Sequence, residues 1–163
     1  MRYPLFLLLL LSVACTREKH FVIVDESGIH PSALTQLDAD EHHLLEGYLY
    51  LYGNACQGEK PSVKCRILQE LHVRDECNPA YRKALEETFA LVPVMKYKFS
   101  NCPVLKEDAA IQNHFIRIEM TRRRDRHVFS YAIQGINQAQ EKTWNISGKD
   151  TFDLINHQFK RRN

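Results

Sequence analysis

The stretch from His114 to Ile146 constrains the fold more than any other part of this chain. Two runs, HFIRIEM (114–120) and HVFSYAIQGI (127–136), alternate apolar and polar residues and are separated by an arginine-rich break. Side chains of a strand point to opposite faces in turn, so such runs describe strands with one buried face. Taking Arg122–Asp125 as the loop sets Met120 opposite His127, Ile118 opposite Phe129 and Ile116 opposite Tyr131. A slip of one residue would oppose Ile118 to Ser130 and mix the faces. A second loop at Asn137–Gln140 sets Ile133 opposite Trp144 and Tyr131 opposite Ile146. Both loops put the apolar residues on one face, which predicts an antiparallel meander.

Upstream the period changes. FVIV (21–24) reads as a short strand, ended by Gly28 and Pro31. From Ser32 to Tyr52 the spacing of Leu34, Leu37, Leu44, Leu45, Tyr48, Leu49 and Tyr52 predicts one helix, stopped at Gly53-Asn54. A second helix opens at Pro61-Ser62 and carries Val63, Ile67 and Leu71. A third is announced by Asn78 as a cap and Pro79 at its first position, with Tyr81, Leu85 and Phe89 on its apolar face. In VMKYKFS, Met95, Tyr97 and Phe99 alternate with Lys96 and Lys98, as in a strand with one wet face. DTFDLINHQF (150–159) reads as a candidate terminal helix, with Asp150 as cap and Phe152, Ile155 and Phe159 on one side.

These elements predict an α+β fold: two or three helices, then an antiparallel meander of about four strands whose apolar face the helices cover. The element order is similar to that of cystatin-like and NTF2-like curved sheets, and order alone carries no function. A chain of 163 residues with 44% hydrophobic residues suits one domain plus a targeting segment.

That segment is LLLLLSVACTREKH (7–20). A membrane-spanning helix needs about 20 apolar residues. Here thirteen residues run from Tyr3 to Cys15 before Arg17, Glu18 and Lys19 begin. A basic start at Arg2, an apolar run and the small residues Ser12 and Ala14 describe an export signal cut after Ala14. LLSVAC resembles the end of a bacterial lipoprotein signal, the likeness covering residues 1–15 alone. The resemblance implies that Cys15 receives a diacylglyceryl group and becomes the first mature residue, and that Thr16 directs the protein to the outer membrane, facing periplasm or surface. Ser12 departs from the usual Leu of that motif and leaves room for an ordinary signal peptidase at the same bond. The expected organisation is an export signal over 1–14, a lipidated Cys and tether over 15–20, and one disulfide-stabilised domain over 21–163.

The cysteines are consistent with export. Five occur, at positions 15, 56, 65, 77 and 102, with no CxxC pair. Lipid on Cys15 leaves four thiols, an even number, for an oxidising compartment. Cys56, Cys65, Cys77 and Cys102 then allow three pairings, among which the sequence does not choose; Cys102 is expected to tie the sheet to the helical half.

Motifs for chemistry are sparse. DADEHH (38–43) gathers acids and histidines, but acids at the start of a helix oppose its dipole, and no HExxH or EF-hand pattern is present, so no metal is expected. No GxSxG marks a nucleophile, and His72, His114, His127 and His157 stand outside any motif. TRRRDRH (121–127) offers Arg122, Arg123, Arg124 and Arg126 as a weak candidate site for phosphate or carboxylate groups of an anionic lipid, glycan or envelope protein; a solvated loop that discourages edge pairing is the simpler explanation, since charge runs are usually solvated. With a net charge of +2 over the chain, nucleic acid is not expected as a partner. The sequence therefore predicts a lipid-anchored cell-envelope protein with a binding or accessory domain, no cofactor and no evident catalysis. The rival expectation is a secreted or periplasmic hydrolase-like enzyme whose site the sequence does not display.

Overall fold

In the computed structural model the described residues are 18–52, 62–72, 79–100 and 111–163. Strands β1 (Lys19–Asp25) and β2 (Gly28–Ile29) form a hairpin. Five helices follow: α1 (Pro31–Leu34), α2 (Ala39–Leu51), α3 (Val63–Glu70), α4 (Pro79–Thr88) and α5 (Pro93–Ser100). The chain then returns as β3 (Ile111–Arg123), β4 (Arg126–Asn137), β5 (Lys142–Ile155) and β6 (Gln158–Arg161). Every described strand pairing is antiparallel, in the order β2-β1-β3-β4-β5-β6. The α+β class is as expected, although among the described residues the sheet has six strands rather than about four and the helices number five rather than two or three.

The helices lie on one face of this sheet. Tyr48 of α2 stacks on Phe129 of β4 with ring centroids 3.9 Å apart, and Phe89, just beyond α4, meets Phe159 of β6 at 5.6 Å. Phe129, Phe152, Phe159 and Phe89 are fully buried, so this aromatic layer is the centre of the core. Gly47 is required beside it, because a Cβ there would stand 2.7 Å from the Phe89 ring.

Both meander registers keep the expected faces but differ by two residues. Met120 pairs with Phe129 and Ile118 with Tyr131, because the turn is only Arg124-Asp125, with Arg124 at φ 57°. Ile133 pairs with Ile146 and Tyr131 with Gly148 across the next turn. A two-residue change conserves the face, which is why the apolar pattern allowed it. Ile116 is the exception: a bulge between Phe115 and Arg117 reverses the phase, buries Phe115 against the helices and leaves Ile116 43% exposed.

Three expected elements are corrected. The segment read as one helix over 32–52 is broken into α1 and α2 by a capping box: the Glu41 amide donates to Asp38 Oδ1 at 3.0 Å and the Asp38 amide donates to Glu41 Oε2 at 2.8 Å. VMKYKFS is the helix α5, not a strand. Pro93 starts it, and Val92, Met95 and Phe99 pack inward at helical spacing while Tyr97 is 73% exposed. Over so few residues, Met95 and Phe99 satisfy both periods, and only Tyr97 separates them. DTFDLINHQF is the end of β5, a turn and β6, not a helix. Asn156 and His157 both have positive φ, 50° and 61°, and Ile155 pairs with Gln158 in a two-residue hairpin. Phe152 and Phe159 are buried as expected, but Ile155 faces out. The proposed cap of the third helix, Asn78, lies outside the described residues; Pro79 does begin α4.

Candidate functional site

The C-terminal end of α2 delivers Tyr48 and Tyr52, one helical turn apart, over the middle of β4 and β5. Their rings stack at 6.2 Å, and Tyr131 of β4 leans against both, at 5.5 Å from Tyr48 and 5.1 Å from Tyr52. Gly148, directly across from Tyr131, makes space for its ring, since a Cβ at 148 would stand 2.5 Å from it. The three phenols line a cavity of about 500 Å³, a size usual for small-ligand sites. Leu51, Val92, Val94 and Met95 supply apolar wall, and Lys98, Lys149 and Arg161 supply cations.

The polar groups of this cavity are largely spent on one another. Tyr48 Oη donates to Asp150 Oδ2, and Arg161 Nη2 donates to the other oxygen, Oδ1. Burial, reinforced by the Asp150 carboxylate, holds the Tyr48 phenol far above the ordinary phenol range, so it remains a donor. Tyr131 is raised as well, by burial and by its hydrogen bond to Tyr52. Tyr131 Oη donates to Tyr52 Oη at 3.2 Å, which leaves the Tyr52 hydroxyl its own proton to donate. Lys98 Nζ lies 6.0 Å from the centroid of that same Tyr52 ring.

A second polar cluster sits at the other end of α2. Arg122 of β3 reaches Asp38 and, at 3.3 Å, the Oε1 of Glu41, which is fully buried. Burial alone would raise the Asp38 carboxyl, but the Glu41 amide and the Arg122 guanidinium outweigh it and the net shift is downward. His127, paired across β3 and β4 with Arg122, is also fully buried. Its burial, and then the Arg122 charge, lower its pKa, so the imidazole is neutral near pH 7. Its ring meets the edge of Phe159 at 5.3 Å.

The arginine-rich turn is thereby divided. Arg122 turns inward to the acids of α2 and also donates from Nε to the Arg124 carbonyl at 3.1 Å, while Arg123, Arg124 and Arg126 are on the exposed turn. DADEHH is divided too: Asp40 faces His157 at 3.2 Å, His42 Nε2 lies 3.2 Å from the Leu34 carbonyl, and His43 Nδ1 lies 3.5 Å from Thr88 Oγ1. Among the described residues no three His, Cys, Asp or Glu side chains converge as for a metal ion. Cys65 is disulfide-bonded, with Ser62 Oγ 3.0 Å from its sulfur. Cys15, Cys56, Cys77 and Cys102 lie outside the described residues, as does the export signal.

Sequence reasoning placed Tyr48 and Tyr52 on an apolar helix face and Asp150 at a helix cap; it did not place them in a site. The available signal was the i, i+4 tyrosine pair, since a phenol needs a partner for its hydroxyl when buried. Among the described residues, no helix is long and apolar enough to cross a membrane. The chain matches no family model, no curated protein and no solved structure.

Proposed function

We propose that this chain is a lipid-anchored cell-envelope protein whose α+β domain holds a small molecule in the tyrosine-lined cavity, acting as a binding or accessory module. The observation that carries the binding half is the pre-satisfied polar set of that cavity. Asp150 is held by both Tyr48 and Arg161, which suits a fixed wall better than a proton-transferring acid or base. The anchoring half rests on LLSVAC at residues 10–15 and on the even number of cysteines that remain once Cys15 is acylated.

Native mass spectrometry of the chain extracted from a bacterial envelope tests both halves. The expected species begins at an acylated Cys15 and carries one small-molecule adduct, which disappears in Leu51→Trp, a variant that fills the cavity. An unmodified Cys15, or a chain still starting at Met1, overturns the anchor. An acylated protein that never carries an adduct overturns the binding role.

A further inference from the structure

Resting on that reading of the cavity as a binding site, we propose that its ligand is an amphipathic anion, with a carboxylate or phosphate head held by Tyr52 and Lys98. The apolar body then lies along Leu51, Val92 and Met95.

The donor inventory points to the charge. Of the phenols that line the cavity, Tyr48 is committed to Asp150 and Tyr131 to Tyr52, so the hydroxyl proton that remains for a guest is that of Tyr52. The Tyr131-to-Tyr52 bond polarises that hydroxyl in the donating sense. The Lys98 ammonium stands 6.0 Å from the same ring, on the same side of the cavity as the apolar wall that α5 provides. A donor and a cation that line one cavity recognise an acceptor that bears negative charge. A cationic head finds no equivalent: Asp150 is the one acid among the described lining residues, and each of its oxygens already accepts a hydrogen bond.

The rest of the lining points to the tail. Val92 and Met95 are buried in the wall, and the wall continues to Leu91 and Val94, which are 43% and 64% exposed. An apolar path thus runs from the core to solvent past the cation, so a tail would bury surface that water now covers.

The test titrates the purified protein with laurate, dodecyl phosphate, dodecanol and dodecylammonium, each below its micelle concentration, by isothermal calorimetry. Laurate or dodecyl phosphate, or both, should bind at one equivalent, at least tenfold more tightly than dodecanol, with dodecylammonium weaker still. Which of the two anions binds more tightly distinguishes the carboxylate from the phosphate head. Tyr52→Phe and Lys98→Met should each bring the preferred anion toward the affinity of dodecanol, and far-ultraviolet circular dichroism confirms that both variants fold. Dodecanol binding as tightly as the anions overturns the anionic head but leaves the cavity as a binding site. Tightest binding of dodecylammonium overturns it likewise. If none of the four binds, the aliphatic anion is overturned, and the adduct seen or not seen by native mass spectrometry decides the cavity separately.

Discussion

The two ends of α2 meet the sheet through different chemistry. At the N-terminus the contact is ionic and closed: Asp38 and Glu41 cap the helix and accept Arg122, with His127 packed beside them. At the C-terminus the contact is aromatic and open: Tyr48 and Tyr52 lean on Tyr131 above a cavity. Charges that are buried must be paired, so the first end tolerates no vacancy. Phenols need only one partner each and keep flat apolar faces, so the second end can leave room for a guest. The same helix therefore has one end closed against the sheet by ion pairs and one end that leaves a cavity beside it.

The sharpest way to break this contrast is Arg122→Met, which leaves the buried Glu41 carboxylate without its guanidinium. It should cost about 3–5 kcal/mol in urea unfolding, and adding Glu41→Gln should recover part of that loss. A cost below about 1 kcal/mol would mean that the ionic end does not hold the helix. Next in size, Tyr48→Phe keeps the stacking on Phe129 but removes the donor to Asp150. A loss of about 1.5–3 kcal/mol is expected, as for a hydrogen bond to a charged group. Measuring its change in thermal midpoint beside that of Arg122→Met ranks the two ends directly.

The ionic end should also respond to acid. The folded His127 imidazole titrates below its ordinary value of 6.5, so the unfolded chain takes up its proton first as pH falls. Stability from this group is complete above about pH 6.5 and is lost as pH falls from there through the folded value. Urea midpoints at pH 7.5 and 5.5 should therefore differ in the wild type by more than in His127→Leu; equal differences would remove His127 from the account. The smallest effect is expected at the turn itself. Arg123→Ser and Arg126→Ser should each shift stability by no more than about 0.5 kcal/mol, as for ordinary surface positions. A larger loss would give the exposed arginines a structural role alongside Arg122.

Much of the fold was legible because the meander strands are long and half buried. Phe129, Tyr131 and Ile133 alternate with polar neighbours, and that alternation survives a two-residue error in the turn. Short segments were less legible. Over VMKYKFS the periods of 2 and 3.6 nearly coincide, and Pro93 was the one signal for a helix start. At 150–159 the Asn156-His157 turn lacks the glycine that usually marks a two-residue hairpin, so the phenylalanines read as one face of a helix. The capping box at Asp38 was visible as D-A-D-E, yet the leucines on either side concealed the break.

The site was less legible than the fold. Tyr48 and Asp150 lie 102 positions apart, and Tyr131 and Tyr52 lie 79 apart. By itself the sequence determined the α+β class and the buried face of β4, because strand periodicity acts locally. Only the tertiary structure decided which polar side chains share a cavity and which of the turn arginines is turned inward. Burial and pairing depend on what the other side of the core supplies, and no local pattern carries that information.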